Sequence, residues 1–282
     1  MLDLDTKQIP MGQATVIKNL IELPSNNKAE AIYFDRPEKQ VICISCQTSC
    51  AVGCIFCASP DGNTTVNLTE ADMLFQIDHM SANITNFDKI TLVSFMGEGE
   101  PMQNFSNVWN TIMHTWKIYS TPIKYSISTS GAKPQNIKRL GDNYAEWKDV
   151  FDLKLQLSLH ASNDMDREKL VPNSKPIATL MEALDYYKDV TNNSPIDVNY
   201  VLIDGVNDSI ANAQELIGIV GNNYHVKVSK YNKVPWLDFK ESSHTDEFLA
   251  VLKEAGISYE FHMTDGEKNQ AACGQTRAIK DS

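Results

Sequence analysis

Several things are scarce in this chain of 282 residues, and each scarcity narrows what it can be. No apolar run approaches the length of a membrane span. The opening Met1-Leu2-Asp3-Leu4-Asp5 has neither the basic nor the apolar region of a signal peptide, so a cytoplasmic protein without membrane contact is expected. Positive charge is short as well: 25 Lys and Arg stand against 36 Asp and Glu, a net −11. Affinity for nucleic acid rests largely on Lys and Arg neutralising phosphates, and no basic run stands out. The balance weighs mildly against a polyanionic partner. Linkers, low-complexity tracts and internal repeats are missing too. The length suits one large core, and a single α/β barrel would use nearly all of it.

Cysteine is scarce everywhere except in one stretch. Five of the six fall within fifteen residues (Cys43, Cys46, Cys50, Cys54 and Cys57), and Cys273 stands near the other end. Without a secretion signal, such clustering points to metal or redox chemistry and not to structural disulfides. Cys50, Cys54 and Cys57 read C-x3-C-x2-C. That places three thiolates on one tight loop, one short of the four that iron–sulfur clusters normally take from protein. A cubane held this way keeps one iron open to chemistry. The alternative is a zinc-stabilised binding module, with a structural ion on Cys46, Cys50, Cys54 and Cys57. Zinc sites usually pair two short hooks across a longer loop, whereas these spacings follow one another in a row.

Residues 14–23 and 29–34 read as two leading strands, with turn residues at Pro24-Ser25-Asn26-Asn27 between them. Strands then follow at 40–46, 89–96, 123–130, 150–160, 197–203 and 225–231, and near 258–263. Helices are predicted at 69–83, 105–119, 134–141, 177–191, 209–221 and 245–255. This βα alternation implies an α/β fold with a parallel sheet covered by helices.

Two strands carry a further clue. Leu153, Leu155, Leu157 and Leu159 alternate with Lys154, Gln156, Ser158 and His160, and Lys124, Ser126, Ser128 and Ser130 share one phase of their strand. A period of two puts each set on one face. The apolar face must meet the helices, so the polar face points into the barrel and lines a ligand cavity. An edge strand with one wet face would read the same way. At the end of the second strand, Gly97-Glu98-Gly99-Glu100 offers close backbone approach and carboxylates to a cationic ligand. Taken alone, such a pair of glycines is as readily a tight turn. His160 ends a strand at the catalytic rim of a βα barrel.

The cysteine triplet, with the aromatic Phe56 before its last member, is similar to the signature of radical S-adenosylmethionine (SAM) enzymes, in which SAM chelates the open iron. Cys43, seven residues ahead of the triplet, and Ala271-Ala272-Cys273-Gly274-Gln275 carry a closer resemblance, to the RlmN/Cfr family of radical-SAM methylsynthases. So do Gly99-Glu100-Pro101 with Asn104, Ser128-Thr129-Ser130-Gly131, Ser158-Leu159-His160-Ala161, Val206-Asn207-Asp208 and Asn232. The resemblance runs from about Glu30 to Gln275.

It implies a (βα)6 partial TIM barrel over residues 38–282, ending in a C-terminal loop that carries Cys273. A small N-terminal β extension over residues 1–37 precedes it. It implies a 4Fe–4S cluster on Cys50, Cys54 and Cys57, with SAM at the upper rim against Gly99, Glu100, Ser128, Ser158, His160 and Asn232. The implied reaction moves a methyl group from SAM to an sp2 carbon, C2 or C8, of an adenosine in rRNA or tRNA. Cys273 first accepts the methyl by displacement. A 5′-deoxyadenosyl radical made from a second SAM then takes a hydrogen from it, and the carbon radical adds to the adenine. Cys43 resolves the adduct and is left in a disulfide with Cys273, while Glu30 handles a proton. A flavodoxin- or ferredoxin-type electron donor is implied, and a monomer is expected.

The sequence departs from the family pattern in particular places. It is expected to be a short form, without the N-terminal accessory domain that helps the family engage RNA. Glu98 stands where a methionine is usual, and Asp265-Gly266-Glu267-Lys268 replaces a segment that begins with arginine. Cys46 lies outside the family set and reads as a small buried residue. The SAM and cysteine machinery match, while positions facing the substrate do not. The same methyl-cysteine chemistry on a nucleotide, small heteroaromatic or peptide is therefore the alternative reading.

Overall fold

From Lys39 onward, strand and helix alternate, and that alternation decides the architecture. A computed structural model describes residues 9–11, 14–60, 64–84, 86, 89–119, 123–193, 195–262 and 271–276. Three antiparallel strands lead: β1 (Ile9–Met11), β2 (Ala14–Glu22) and β3 (Lys28–Asp35). β4 (Lys39–Cys43) pairs antiparallel with β3 and parallel with β5 (Ile90–Phe95). The sheet continues in parallel through β6 (Ile123–Thr129), β7 (Leu153–Ser158), β8 (Ile196–Leu202), β9 (Tyr224–Lys230) and β10 (Tyr259–His262). The strand order is the chain order, β1 to β10, as in a partial TIM barrel wound one βα unit at a time.

The crossovers are α1 (Glu70–Ser81), α2 (Phe105–Ile118), α3 (Pro134–Ala145), the pair α4 (Asp164–Leu170) and α5 (Ile177–Thr191), α6 (Ile210–Val220) and α7 (Thr245–Glu254). Thr69 starts α1 with a capping box, its side chain accepting from Asp72 N while Asp72 accepts from Thr69 N.

The two faces of β7 divide as the alternation predicts. Leu153, Leu155, Leu157 and Leu159 are buried in the main core between sheet and helices, each worth about 1.5–3 kcal/mol relative to exposure. On the opposite face Gln156 Nε2 donates to Ser126 Oγ at 2.7 Å, and the Ser128 and Ser158 hydroxyls meet at 3.0 Å. The leading strands share that core, for Ile17, Ile21, Ala29 and Tyr33 belong to the same cluster as α1.

Three expectations shift. β7 is shorter than 150–160, because Phe151 is taken into an aromatic group with Tyr125 and Tyr144 and because His160 turns away at φ 58°. α3 runs past 141 to Ala145, since Gly141 lets it close against α5, where a Cβ would meet Val190 Cγ2 at 2.9 Å. α4 and β1 come without prior signal. Residues 265–268 lie outside the described residues.

Candidate active site

The loop that follows β4 is tied down on both sides. The Cys46 and Gln47 amides donate to Glu98 O at 2.9 and 3.2 Å, and Asn104 Nδ2 donates to Cys46 O at 2.8 Å. Farther along, Ile55 N donates to Leu170 O at 3.1 Å and Asn173 N to Val52 O at 3.2 Å. Cys50, Cys54 and Cys57 are half-buried against a small apolar cluster that includes Val52, Phe56, Ala161 and Val171. Burial pushes the Cys50 thiol up to about 12 and raises Cys54 and Cys57 as well; Cys54 is raised further by the charge of its two neighbours. All three are free thiols. Cys46 packs in the main core instead, as a small buried residue.

Beside this loop, the turn after β5 approaches so closely that only glycine fits. A Cβ on Gly97 would stand 2.7 Å from Ile44 C, and one on Gly99, at φ 103°, 2.6 Å from Gln47 Cβ. Glu100 is buried, and its carboxylate is fully engaged by protein donors. Oε1 accepts from Met102 N at 3.0 Å and from Thr129 Oγ1, and Oε2 accepts from Ser130 N at 2.8 Å and Ser130 Oγ at 2.6 Å. Here Glu100 joins the β5 turn to the end of β6. The carbonyls on either side are engaged too, Glu98 O by Cys46 N and Gln47 N and Glu100 O by Gln103 N at 2.9 Å, so half-buried Gly99 is the part of this motif that a ligand can approach.

Ser128 and Ser158 lie side by side at the C-terminal ends of β6 and β7, and Asn199 Nδ2 of β8 approaches Ser128 Oγ at 3.4 Å. His160 sits at φ 58° with its ring edge-on to Phe56, centroids 5.1 Å apart. Its Nδ1 accepts from Val201 N at 3.1 Å, which leaves the single proton on Nε2. Burial, with Arg167 adding to it, lowers the imidazole to about 3, so the ring is neutral. Asn207 holds the same corner: its Nδ2 donates to His160 O at 2.8 Å and Val201 O at 2.7 Å.

Arg167 is a residue that motif reading missed. It is 1% exposed, and its guanidinium donates to Ser158 O at 3.1 Å, to Leu159 O and to Ser130 O at 2.6 Å. One planar fork thus fixes the tops of β6 and β7. Its stretch carried no pattern to find it by. Asn199 was findable, because Asp197 and Asn199 alternate with Val198 and Tyr200 just as the polar residues of β6 and β7 do.

The C-terminal segment closes over this rim. Gly274 O accepts from Ala58 N at 2.8 Å, and Ser59 Oγ donates to Thr276 O at 2.9 Å. Asn232 Nδ2 donates to Cys273 O at 3.1 Å, and Gln275 Nε2 to Lys233 O at 2.8 Å. Cys273 is therefore held beside the last cysteine of the triplet. Its thiol is open to solvent but enclosed by walls whose desolvation raises its pKa, with the charge of Cys57 adding and Arg36 and Lys227 opposing. Cys43 closes β4 on the barrel-interior face, in a cluster with Ile32, Val41 and Ala271. Burial pushes its thiol up to about 12, and Cys273 adds to the effect. Glu30 lies one step along β3 on that face, buried and ion-paired to Lys18 Nζ at 2.8 Å.

Comparison with known proteins decides what this arrangement belongs to. No family model matches the chain. A probable dual-specificity RNA methyltransferase RlmN of Dictyoglomus thermophilum is 33% identical over 277 residues, 95% of this chain and 77% of that one. Its counterpart in Clostridium botulinum is 34% identical over 281 residues, 96% and 79% of the two chains. A radical SAM methyltransferase from Sphaerobacter thermophilus has a crystal structure that superposes with a TM-score of 0.82 at 33% identity, covering 94% of this chain and 78% of that one. The chain belongs to the RlmN family of radical-SAM methyltransferases.

Radical-SAM chemistry in the RlmN family calls for SAM and a 4Fe–4S cluster. The triplet fits such a cluster. Its three thiols are half-buried, unpaired to one another and raised in pKa, so they hold their protons until a cation displaces them. Among the described residues, no group of three or more His, Cys, Asp or Glu side chains is placed to hold a metal ion. Among the described residues, no helix is long and apolar enough to cross a membrane.

Proposed function

We propose that the chain methylates an adenine carbon, C2 or C8, of an RNA, with Cys273 as the methyl carrier and Cys43 as its thiol partner. The observation that carries this reading is the seating of Cys273. Its loop is bonded directly to the triplet loop through Ala58 and Gly274, and Cys43 lies within electrostatic reach on the interior face. When bound, the cluster supplies the single electron that opens SAM to radical chemistry.

The chain's own residues have narrower tasks. Cys50, Cys54 and Cys57 hold the metal. Gly99, Ser128, Ser158, His160 and Asn232 line the rim where SAM lies, with Glu100 shaping it from behind. His160 offers only a neutral Nε2–H donor, because Nδ1 is committed to Val201. Cys43 and Cys273 both rest as protonated thiols, so each must lose a proton before its sulfur forms a new bond. Glu30, tied to Lys18, stands on the face of Cys43 as the proton-handling carboxylate. The electron comes from a flavodoxin- or ferredoxin-type protein.

The test is anaerobic turnover of reconstituted protein with deuterated-methyl SAM, offered total RNA and a small-molecule extract together, followed by mass spectrometry. The expected result is label on an RNA adenine carbon, lost in Cys273→Ala. Label confined to a small molecule or a peptide would retire the RNA assignment. Its complete absence would retire the methyltransferase itself.

A further inference from the structure

Arg167 breaks the usual rule for buried charge. An arginine only 1% exposed is almost always paired with a carboxylate. Here the acceptors are three backbone carbonyls, Ser158 O, Leu159 O and Ser130 O, and among the described residues no carboxylate joins them. Its Nε is buried and makes no hydrogen bond. Carbonyl dipoles soften the cost of such a charge but leave it uncompensated. The fold thus keeps a cation, with one donor to spare, where its own acids do not answer it.

Two lines of contact set Arg167 against the triplet loop. One runs through α4. Leu170 O, at the end of that helix, accepts from Ile55 N at 3.1 Å, and Leu170 and Val171 share with Val52 and Phe56 the apolar cluster on which the three thiols rest. The other runs along the rim. The guanidinium grips Leu159 O, and the ring of the next residue, His160, stands edge-on to Phe56 with centroids 5.1 Å apart. In keeping with both, Cys54 heads the groups that can carry negative charge within electrostatic reach of Arg167, ahead of Asp164 and Glu100. Asp164 is exposed, and Glu100 spends both oxygens on Met102, Thr129 and Ser130.

With their protons on, the three sulfurs bring no charge to meet the cation. Three thiolates holding an iron–sulfur cluster do. The net charge of such a cluster and the hydrogen bonds to its sulfurs set its reduction potential. A cation beside it favours the form with one electron more, and most strongly where water is excluded.

We propose that Arg167 is the counter-charge to the cluster on Cys50, Cys54 and Cys57, and that it raises the potential at which the electron from the flavodoxin- or ferredoxin-type donor is taken up. The donor is oxidised by the one electron that reduces the cluster, and Arg167 keeps its proton throughout. The proposal rests on the cluster reading of the triplet.

The experiment is a redox titration, followed by electron paramagnetic resonance, of anaerobically reconstituted protein without SAM. Wild type is compared with Arg167→Gln and Arg167→Met, which remove the charge. Asn207→Ala is the control, because Asn207 ties the same corner through His160 O and Val201 O but carries no charge. At the wild-type midpoint, the ratio of reduced to oxidised cluster should be about tenfold lower in both neutral variants, a shift of about 59 mV to more negative potential. The control should not shift. Where loss of the fork keeps the neutral variants from folding, Arg167→Lys decides. A buried lysine, unlike arginine, sheds its proton as pH rises. Its midpoint should lie near that of wild type in mild acid and drop below it in alkali. A wild-type midpoint in the neutral variants, or in the lysine variant in alkali, would overturn the proposal, as would an equal shift in the control. If reconstituted wild type holds no cluster, the cluster reading itself fails and takes the proposal with it.

Discussion

The amide of Ala58 donates to the carbonyl of Gly274 at 2.8 Å, joining the residue after the last triplet cysteine to the residue after Cys273. Next to it, Ser59 Oγ holds Thr276 O. Ser59→Ala should cost about 1–3 kcal/mol, because a buried carbonyl loses its donor, and the tail should loosen. The measurement is alkylation of the metal-free protein followed by mass spectrometry. Cys273 is expected to react several-fold faster while buried Cys43 keeps its rate. Equal rates at Cys273 would show that this bond does not hold the tail.

Arg167 invites a stricter test. Arg167→Lys keeps the charge but loses the planar fork that reaches two strand ends at once. Losing charged hydrogen bonds of about 1.5–3 kcal/mol each, the variant should unfold at clearly lower urea. SAM affinity should fall too, since Ser158 sits at one of the released ends. Unchanged urea midpoints would mean that the guanidinium is dispensable.

The glycine turn separates conformational strain from collision. At Gly205, φ 66°, an added methyl would have no neighbour within 4 Å, so Gly205→Ala should cost about 1–2 kcal/mol from backbone strain alone. Gly99→Ala, at φ 103°, adds collision with Gln47 Cβ at 2.6 Å and should destabilise more and weaken SAM binding. Calorimetric melting and SAM titration of both variants check the order.

Asp72 sets an acid limit on the fold. Burial raises its carboxyl, but hydrogen bonds from Thr69 and Ser25 outweigh that and hold it below the usual aspartate range. A depressed carboxyl stabilises the fold above the unfolded value near 4, and the contribution disappears as pH falls through the folded value. Asp72→Asn should therefore destabilise at pH 7, by about 1 kcal/mol for the weakened cap, and less once the pH is taken well below the usual aspartate range. Denaturant melts at the two pH values decide it.

Much of the molecule is legible in its sequence because the physics is local. Alternating Leu and polar residues in β7, and Ser126 with Ser128 in β6, are enough to place a polar face inside the barrel. The triplet spacing marks the metal loop. What stayed hidden depends on distant partners. Gly141 reads as a helix stop, yet it closes α3 against Val190. Glu100 reads as a ligand acceptor, yet Thr129 and Ser130 consume its oxygens. Arg167 has no motif at all, since its partners are backbone carbonyls that any residue presents.

The bond between Ser59 and Thr276 spans 217 residues of sequence. At about 5–20 residues per second on the ribosome, the cysteine hook emerges on the order of ten to forty seconds before the strap that fastens over it exists. Throughout that interval Cys50, Cys54 and Cys57 stand without the tail beside them, and the contacts of Ala58 and Ser59 with Gly274 and Thr276 form only as the chain is completed.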